Sequence, residues 1–407
     1  MANKAGNDLD TLQGLFRKVY SDNIKYLVPD GVRLLKMIDF VSANKQQGES
    51  FNMSVEIGLE HGVTYGGNAG NPFALNGAIA GRNLQAEVKG YEMVLESVLS
   101  VGAASRSLAG GQKAFEDGTK HLVQKMLRSL SKRLELNLLY GQVGIGEVAS
   151  VSGSTVTIKD AEWASGIWSG AESMRVEFRT PAGALRGQAS VVNVDLATKE
   201  IEFDLLPAAT TDDDVIWFAG SYNNEAPGVH KIITNTGELF GINAAQYSLW
   251  KGNSYAKSGS ASALSFQDVE RGIELTVQKG METKATLLVS NRSWTDLHTE
   301  LVAKRRFDSS YQSGKAEAGH ESITYYSQNG IVEVVPSIHV KEGYAYLLST
   351  DEMMRCGSSD ITFNRPGREG QFFRDLESNN GYGLRLYSDQ TLFCEAPGHL
   401  ALISNIG

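Results

Sequence analysis

Two stretches of strict alternation between apolar and polar residues, joined by a long connection rich in glycine and asparagine, constrain the fold of this chain more than any other feature. The first stretch runs from Phe51 to Leu59, and its period is typical of a strand with one buried face. The second starts at Leu84 and continues to Leu95, but its phase slips at Gly90, which predicts a β-bulge. Together they predict an extended two-stranded arm.

The connection between these strands, residues 61–83, is too long for a hairpin turn. Loops of more than about 12–15 residues are uncommon unless they are functional or disordered. Its apolar side chains, which a solvated linker would not need, are Tyr65, Phe73, Leu75 and Ile79. We therefore predict that the arm ends in an adhesive tip, and Tyr65, Phe73 and Leu75 are candidate intersubunit contacts. A mobile surface loop is the alternative.

A long amphipathic helix follows the arm. Apolar residues recur every four positions at Leu122, Met126, Leu130, Leu134 and Leu138. The opposite face is predicted to hold Lys125, Arg128, Lys132 and Glu135. The helix should run from about Asp117 to Tyr140, a length of about 36 Å, and end at Gly141.

Short alternating segments between Gly146 and Ala219 predict a small β-barrel or sandwich with a core of its own. They include Val156 with Ile158, Val176 with Phe178, Val192 with Val194, Ile201 with Phe203, and residues 215–218. The acidic run at residues 212–214 cannot share one strand face, so we place it in a solvated turn.

Helices and strands alternate after Pro227. Ser265 and Asp268 have capping-box spacing before an apolar stripe, which predicts a helix start. A strand at residues 286–289 precedes a second helix carrying Trp294. Further strands are predicted at residues 331–335 and 344–348 and in a C-terminal run from residue 382 to 404, which we expect to be antiparallel.

Length and composition place the chain among soluble globular proteins. At 407 residues it should divide into more than one domain. It lacks an uninterrupted apolar run of about 18 residues and an apolar stretch behind a basic N-terminal end, so neither a membrane span nor a signal peptide is expected. The two cysteines, Cys356 and Cys394, are expected to be buried free thiols. A net charge of −9 gives no sign of a dedicated nucleic-acid binder.

No catalytic or cofactor motif is present in the sequence. GxSxG, P-loop, HExxH and CxxC patterns are all missing, so we expect no catalytic, cofactor-binding or metal-binding residues. His320 and His339 could approach each other, but neither has a second ligand at metal spacing, and structural or exposed histidines are favoured.

Two charged segments have open interpretations. The segment NRPGREGQFFRDLE contains Arg365, Arg368, Arg374 and Asp375, which suit ion pairs between subunits but also a solvated loop. The basic run at residues 304–306 could contact DNA, or it could favour a helix C-terminus electrostatically.

The order of these elements resembles the capsid fold named after bacteriophage Hong Kong 97. LLVSNRSWTDL resembles the strand and helix of that family, and GIVEVVPSIHVKEGYAYLL resembles its axial-domain strand pair. The resemblance implies an α+β fold and covers nearly the whole chain except residues 146–219, which depart from the minimal fold of the family and are interpreted as an insertion. The chain then divides into five parts. These are an N-terminal arm (1–45), an E-loop with flanking peripheral-domain strands (46–100), a spine helix of the peripheral domain (101–145), an inserted β-domain (146–220), and an axial domain with the remaining peripheral strands (221–407).

The resemblance implies a major capsid protein of a tailed double-stranded DNA bacteriophage. The expected partners are other copies of the chain, in pentamers and hexamers of an icosahedral shell, a separate scaffolding protein, a portal, and packaged DNA held non-specifically. A decoration protein is a further candidate. The expected location is the virion, after assembly in the host cytoplasm. An encapsulin-type compartment shell and a β-rich tail or adhesion protein are the alternatives.

Two further expectations concern processing. Cross-linking between subunits needs a lysine, an asparagine and a carboxylate to meet, and Lys89 with Asn379 or Asn380 is the only pairing we can suggest, so cross-links are not expected. The region before the first strand is too short for a charged helical leader, which predicts that no N-terminal scaffolding domain is removed.

Overall fold

The computed structural model describes Pro29 and residues 31–41, 50–101, 112–305, 323–328, 330–364, 373–376 and 380–407. The predicted N-terminal arm lies mostly outside these residues. Within them helices and strands are mixed, which confirms the α+β class.

The N-terminal part contains one short helix and three strands: α1 (Leu34–Met37), β1 (Phe51–Gly58), β2 (Arg82–Val88) and β3 (Tyr91–Ser100). Strands β1 and β2 form an isolated antiparallel hairpin with Phe51 opposite Val88. Strand β3 leaves this hairpin and pairs with a C-terminal strand, so the predicted β-bulge at Gly90 is wrong. The alternation of apolar and polar residues changes phase at Gly90 because the chain passes there from one sheet to another. A side chain at Gly90 would collide with the carboxylate of Asp389.

The long helix α2 (Gln112–Tyr140) begins earlier than predicted and ends before Gly141, as expected. Its apolar face packs Met126, Leu130 and Leu134 against strand residues in the C-terminal half. The expectation that Glu135 lies on the solvent face is wrong, because its carboxylate is buried and accepts hydrogen bonds from backbone N–H groups of residues 33–35.

The next segment folds into a closed six-stranded barrel with strand order β4-β5-β8-β7-β6-β9. Its elements are β4 (Gly146–Ser152), β5 (Thr155–Ile158), α3 (Ser165–Trp168), β6 (Arg175–Arg179), β7 (Leu185–Asp195), β8 (Glu200–Phe203) and β9 (Val215–Phe218). In β7, Ala189 and Val191 are buried and Val192 is exposed, because the register shifts between Val191 and Asn193. The prediction that Val192 faces the core is therefore wrong, whereas Val194 packs against the core as predicted.

The acidic run and the barrel core both differ from expectation. Asp214 is buried and accepts hydrogen bonds from Arg186 and from the N–H of Thr211, so the solvated-turn prediction is wrong for this residue. The barrel core also merges with that of helix α2 and the C-terminal half: Trp163 and Trp168 belong to the same buried cluster as Tyr140. The predicted core positions of the barrel are buried, but they form one continuous cluster with the rest of the molecule instead of a separate core.

The C-terminal half is built on a six-stranded mixed sheet with strand order β12-β20-β16-β13-β15-β14. Its helices are α4 (Val229–Thr234), α5 (Phe266–Val277) and α6 (Asn291–Arg305). Its strands are β10 (Glu238–Leu239), β11 (Ile242–Asn243), β12 (Asn253–Ala256), β13 (Ala285–Val289), β14 (Ile323–Ser327), β15 (Gly330–Pro336), β16 (Tyr344–Leu348), β17 (Met353–Thr362), β18 (Arg374–Asp375), β19 (Gly381–Cys394) and β20 (Ala401–Ser404).

Two expectations about this half are corrected. Strand β20 pairs in parallel with β12 and antiparallel with β16, so the C-terminal run is not purely antiparallel. Strands β15 and β16 do not pair with each other, because β13 lies between them. The capping box at Ser265 and Asp268 is confirmed.

A second sheet joins the two halves of the chain. Strand β19 pairs with β3 along one edge and with β17 and β18 along the other. Its inner face packs on helix α2 through Leu384 and Leu386. Cys356 on β17 and Cys394 on β19 are buried free thiols, as expected, and burial raises the pKa of Cys356 to about 12.

Candidate assembly surfaces

The tip of the β1–β2 hairpin, residues 59–81, is the most apolar exposed segment among the described residues. Tyr65 is 90% exposed and Leu75 is 80% exposed. The other large apolar side chains exposed in the tip are Leu59, Val63, Phe73 and Ile79. A soluble monomer gains nothing by presenting such a group of side chains, and apolar patches of this kind mark interaction sites.

The tip nevertheless has a defined internal structure. The N–H of His61 donates to the carbonyl of Ile79 at 3.0 Å. Asn76 donates through its backbone N–H to the hydroxyl of Thr64 at 2.8 Å and through its side chain to the carbonyl of Val63 at 3.1 Å. These bonds hold the two sides of the tip together, so its apolar side chains are presented from an ordered segment.

The base of the hairpin is anchored within its own chain. The alternate residues Phe51, Met53, Val55 and Ile57 pack around a buried cluster that includes Ile242, Trp250 and Phe393. The guanidinium of Arg82 lies 5.2 Å from the centroid of the Tyr247 ring. The predicted core-facing alternation is therefore satisfied at the base, and only the tip extends without apolar cover.

The outer face of the β3–β19 sheet is a second surface, which the sequence analysis missed. Val94 and Val98 point away from helix α2 and are each more than half exposed. Between them, Glu96 accepts a hydrogen bond from Arg385 at 2.9 Å. The sequence could have indicated this surface, because the segment from Tyr91 to Ser100 has apolar residues at positions that face both sides of the sheet.

The predicted charged cluster falls only partly on described residues. Arg365 and Arg368 lie outside them. Arg374 and Asp375 form β18, where Arg374 is half-buried and opposite Gly383. In the basic run, residues 304 and 305 end helix α6, as the electrostatic alternative requires, and Arg306 lies outside the described residues.

A buried polar cluster fixes the barrel to the mixed sheet. The hydroxyl of Tyr140 donates to the carbonyl of His339 at 2.9 Å and accepts from the N–H of Lys341 at 2.8 Å. The ammonium of Lys341 pairs with Glu162 of the barrel, and the hydroxyl of Tyr344 donates to the same carboxylate at 2.6 Å. In this arrangement each buried charge has an oppositely charged or hydrogen-bonding partner.

The pKa shifts in this cluster are consistent with a structural role. Burial alone would raise the pKa of Glu162, but Lys341 and Tyr344 hold it below its usual value. Burial, followed by the nearby Lys341 charge, lowers the pKa of His230 to about 4, so this histidine is neutral at physiological pH. Burial also raises the pKa of Tyr344 above its usual range.

The described residues hold no candidate metal site and no candidate membrane span. Among the described side chains, no group of three or more His, Cys, Asp or Glu residues could hold a metal ion. His339 is buried, and His320 lies outside the described residues. None of the helices within the described ranges is long and apolar enough to cross a membrane.

Solved structures with the same fold include chains from phages and from the capsid of a GTA particle. A chain of the cyanophage A-1(L) capsid asymmetric unit superposes with a TM-score of 0.59 and 12% identity, over 98% of this chain and 99% of that one. A chain from the capsid of a native GTA particle gives a TM-score of 0.52 and 10% identity, over 99% and 100% of the two chains. A chain of Mycobacterium phage Bobi gives 0.50 and 10%, over 98% and 99%.

These superpositions cover essentially the whole chain, including the hairpin, helix α2 and the barrel segment. The protein therefore has the fold of phage capsid subunits. By sequence, no protein-family model and no curated protein matches the chain.

Proposed function

We propose that this protein is the major capsid protein of a tailed double-stranded DNA bacteriophage and that it acts as a shell-building subunit without catalytic activity. The observation that carries the proposal is the end-to-end superposition on capsid subunits with a TM-score of 0.59. The exposed apolar tip supports it, because a shell subunit must bury large surfaces against other copies of itself.

In the assembled head, copies of the chain form the pentamers and hexamers of an icosahedral shell. The tip covers a neighbouring copy, and Tyr65, Phe73 and Leu75 supply the apolar contact. Arg365, Arg368, Arg374 and Asp375 form ion pairs between subunits. A separate scaffolding protein and a portal complete the assembly in the host cytoplasm, and the shell then encloses the DNA genome.

The barrel faces outward in this proposal, and its charge supports that orientation. Residues 146–220 contain twelve acidic and five basic side chains, a net of −7 out of −9 for the whole chain. Carboxylates and DNA phosphates repel each other. An outer position also leaves room for a decoration protein to bind.

Electron microscopy of the purified full-length protein tests the main proposal. We expect closed shells of uniform diameter in negative stain, formed by the protein alone or with the other head components of its phage. Light scattering that shows only monomers or dimers under all of these conditions would overturn it.

The orientation of the barrel has its own test. Gly153, in the β4–β5 turn, has a φ of 63° and open space around it, so an epitope tag inserted after this residue should be tolerated. An antibody against the tag should bind intact particles. Binding only after the particles are disrupted would place the barrel inside.

A further inference from the structure

Residues 31–41 connect three separate parts of the subunit. Gly31 lies against the side chain of Ile338, and there is no room for a Cβ atom between them. Leu34 and Ile38 are completely buried in the main core. Phe40 forms a parallel bridge with Arg355 on β17. We call this segment the root, because the N-terminal residues precede it and the β1–β2 hairpin follows it.

Glu135 of helix α2 holds the N-terminal half of the root. One carboxylate oxygen accepts from the N–H groups of Arg33 and Leu34 at 3.0 and 2.9 Å, and the other accepts from the N–H of Leu35 at 2.7 Å. Burial raises the pKa of this carboxyl group, and the hydrogen bonds from the three backbone N–H groups, which favour the charged form, oppose that shift. A fully buried carboxylate with three backbone donors is costly to disturb, so this contact fixes the backbone direction at residues 33–35.

Arg355 holds the C-terminal half of the root. Its Nε donates to the carbonyl of Ile38 at 2.9 Å, its backbone N–H donates to the carbonyl of Asp39, and its carbonyl accepts from the N–H of Val41. The guanidinium is itself oriented by Asp360, at 2.9 Å, and by Gln390, at 2.8 Å. The guanidinium is buried, so its position depends on these two side chains.

We propose that Glu135 and Arg355 are positioning residues for assembly, which fix the place and backbone direction of the root, the point from which the N-terminal residues start. The proposal rests on the shell function proposed above. A segment that reaches a neighbouring subunit must start at a fixed angle, since a small angular error at its start becomes a large displacement farther along it. Loosening the root should therefore impair assembly more than it impairs folding.

Full-length Glu135→Gln and Asp360→Asn test the proposal. In Glu135→Gln, an NH₂ group replaces one of the two accepting oxygens. Asp360→Asn weakens the ion pair that orients Arg355. Because the side chain of Asp360 is partly exposed, this second variant should still fold. We expect amide protection of residues 33–41, measured by hydrogen exchange, to fall about tenfold. We also expect the yield of regular shells in negative stain to fall at least as far. Asp268→Asn, which weakens the buried cap of helix α5, is the matched control. Its melting temperature should be comparable to those of the two root variants, but it should still form normal shells.

Two outcomes would overturn the proposal. Normal shells from both variants, despite lost protection at residues 33–41, would show that the root angle does not matter. An equal loss of shells in Asp268→Asn at the same melting temperature would show that only stability matters. Failure of the wild-type protein to form shells would instead contradict the proposed function, so the two failures are distinguishable.

Discussion

Tyr65 and Leu75 are large apolar side chains that make almost no contribution to the stability of the single subunit, because they are 90% and 80% exposed. Substitutions at such positions usually change the free energy of unfolding by about 0.5 kcal/mol or less. Their effect on contacts between subunits should be much larger, since buried aromatic residues dominate the binding energy of interfaces. Stability and assembly can therefore be separated at these residues.

We predict that the double variant Tyr65→Ser with Leu75→Ser remains a folded monomer and forms no shells. Its melting temperature should match that of the wild type, and negative-stain images should show no particles. Leu205→Ser is the control, because Leu205 is 78% exposed on the barrel, outside the tip. A tip variant that assembles as well as the wild type would show that the tip is not an assembly contact.

Glu225 gives the subunit a pH dependence near neutrality. Its carboxylate is buried between the end of helix α2 and the barrel, where it accepts from the N–H of Gln142 at 2.9 Å. Burial raises its pKa to about 7, although the hydrogen bond from Gln142 and the charge of Arg133 oppose the shift. The folded carboxyl group thus binds its proton more tightly than the unfolded one.

The sign of the effect on stability follows from this difference in proton affinity. The contribution of Glu225 to the free energy of unfolding is complete below about pH 4.5 and is lost as the pH rises through about 7, a change on the order of 3 kcal/mol. We predict that Glu225→Gln removes this part of the pH dependence. Urea unfolding of both proteins at pH 5 and pH 8 measures it, and parallel pH profiles would contradict the prediction.

At the level of elements, the strands of the barrel form a closed ring, but its buried core continues into the rest of the molecule. Trp163 and Trp168 share a buried cluster with Tyr140 of helix α2 and Leu348 of the mixed sheet. An isolated barrel would lose the packing that helix α2 and the mixed sheet supply to this cluster, and removing a large aromatic side chain from a core costs about 3–5 kcal/mol. That loss is comparable to the total stability expected for a domain of this size.

We predict that a fragment containing residues 146–220 does not fold cooperatively. Thermal unfolding followed by circular dichroism should give a broad, shallow change, in contrast to the steep transition of the full chain. A steep transition in the fragment would mean that the strand closure alone stabilises the barrel.

The sequence was sufficient to predict the elements that bury one face in a regular pattern. Strands β1, β13 and β16, helix α2 and the Ser265 cap lie where alternation, periodicity and capping chemistry place them. The exposure of Tyr65, Phe73 and Leu75 was also predictable, because no local apolar pattern accounts for them. Their contact with another subunit stays a prediction.

Other features depend on contacts with distant parts of the chain, so the local sequence pattern could not predict them. Glu135 resembles a solvent-facing residue of helix α2, but backbone groups about one hundred positions earlier bury it. The change of sheets at Gly90 depends on β19, close to the C-terminus. The parallel pairing of β12 with β20 has no local signal either. Long-range pairing, not propensity, decided each of these cases.

At the scale of the whole molecule, covalent linkage between subunits remains an expectation. Lys89 is half exposed and lies 3.4 Å from Glu87, while Asn379 lies outside the described residues. We predict that mature particles dissolved in hot detergent run as a single band at the mass of one subunit on a denaturing gel. A ladder of larger bands, or material that does not enter the gel, would show that subunits are covalently joined.

The bond from Arg355 to Ile38 spans 317 residues, and the bond from Lys341 to Tyr140 spans 201. During synthesis the C-terminal half of the root therefore stays open until Arg355, 317 residues after Ile38, has left the ribosome. Contacts of such long range form slowly, since the ends of a long loop must first meet. We therefore expect a nascent chain to become competent for assembly only after β17 has emerged, which delays shell growth on a crowded polysome.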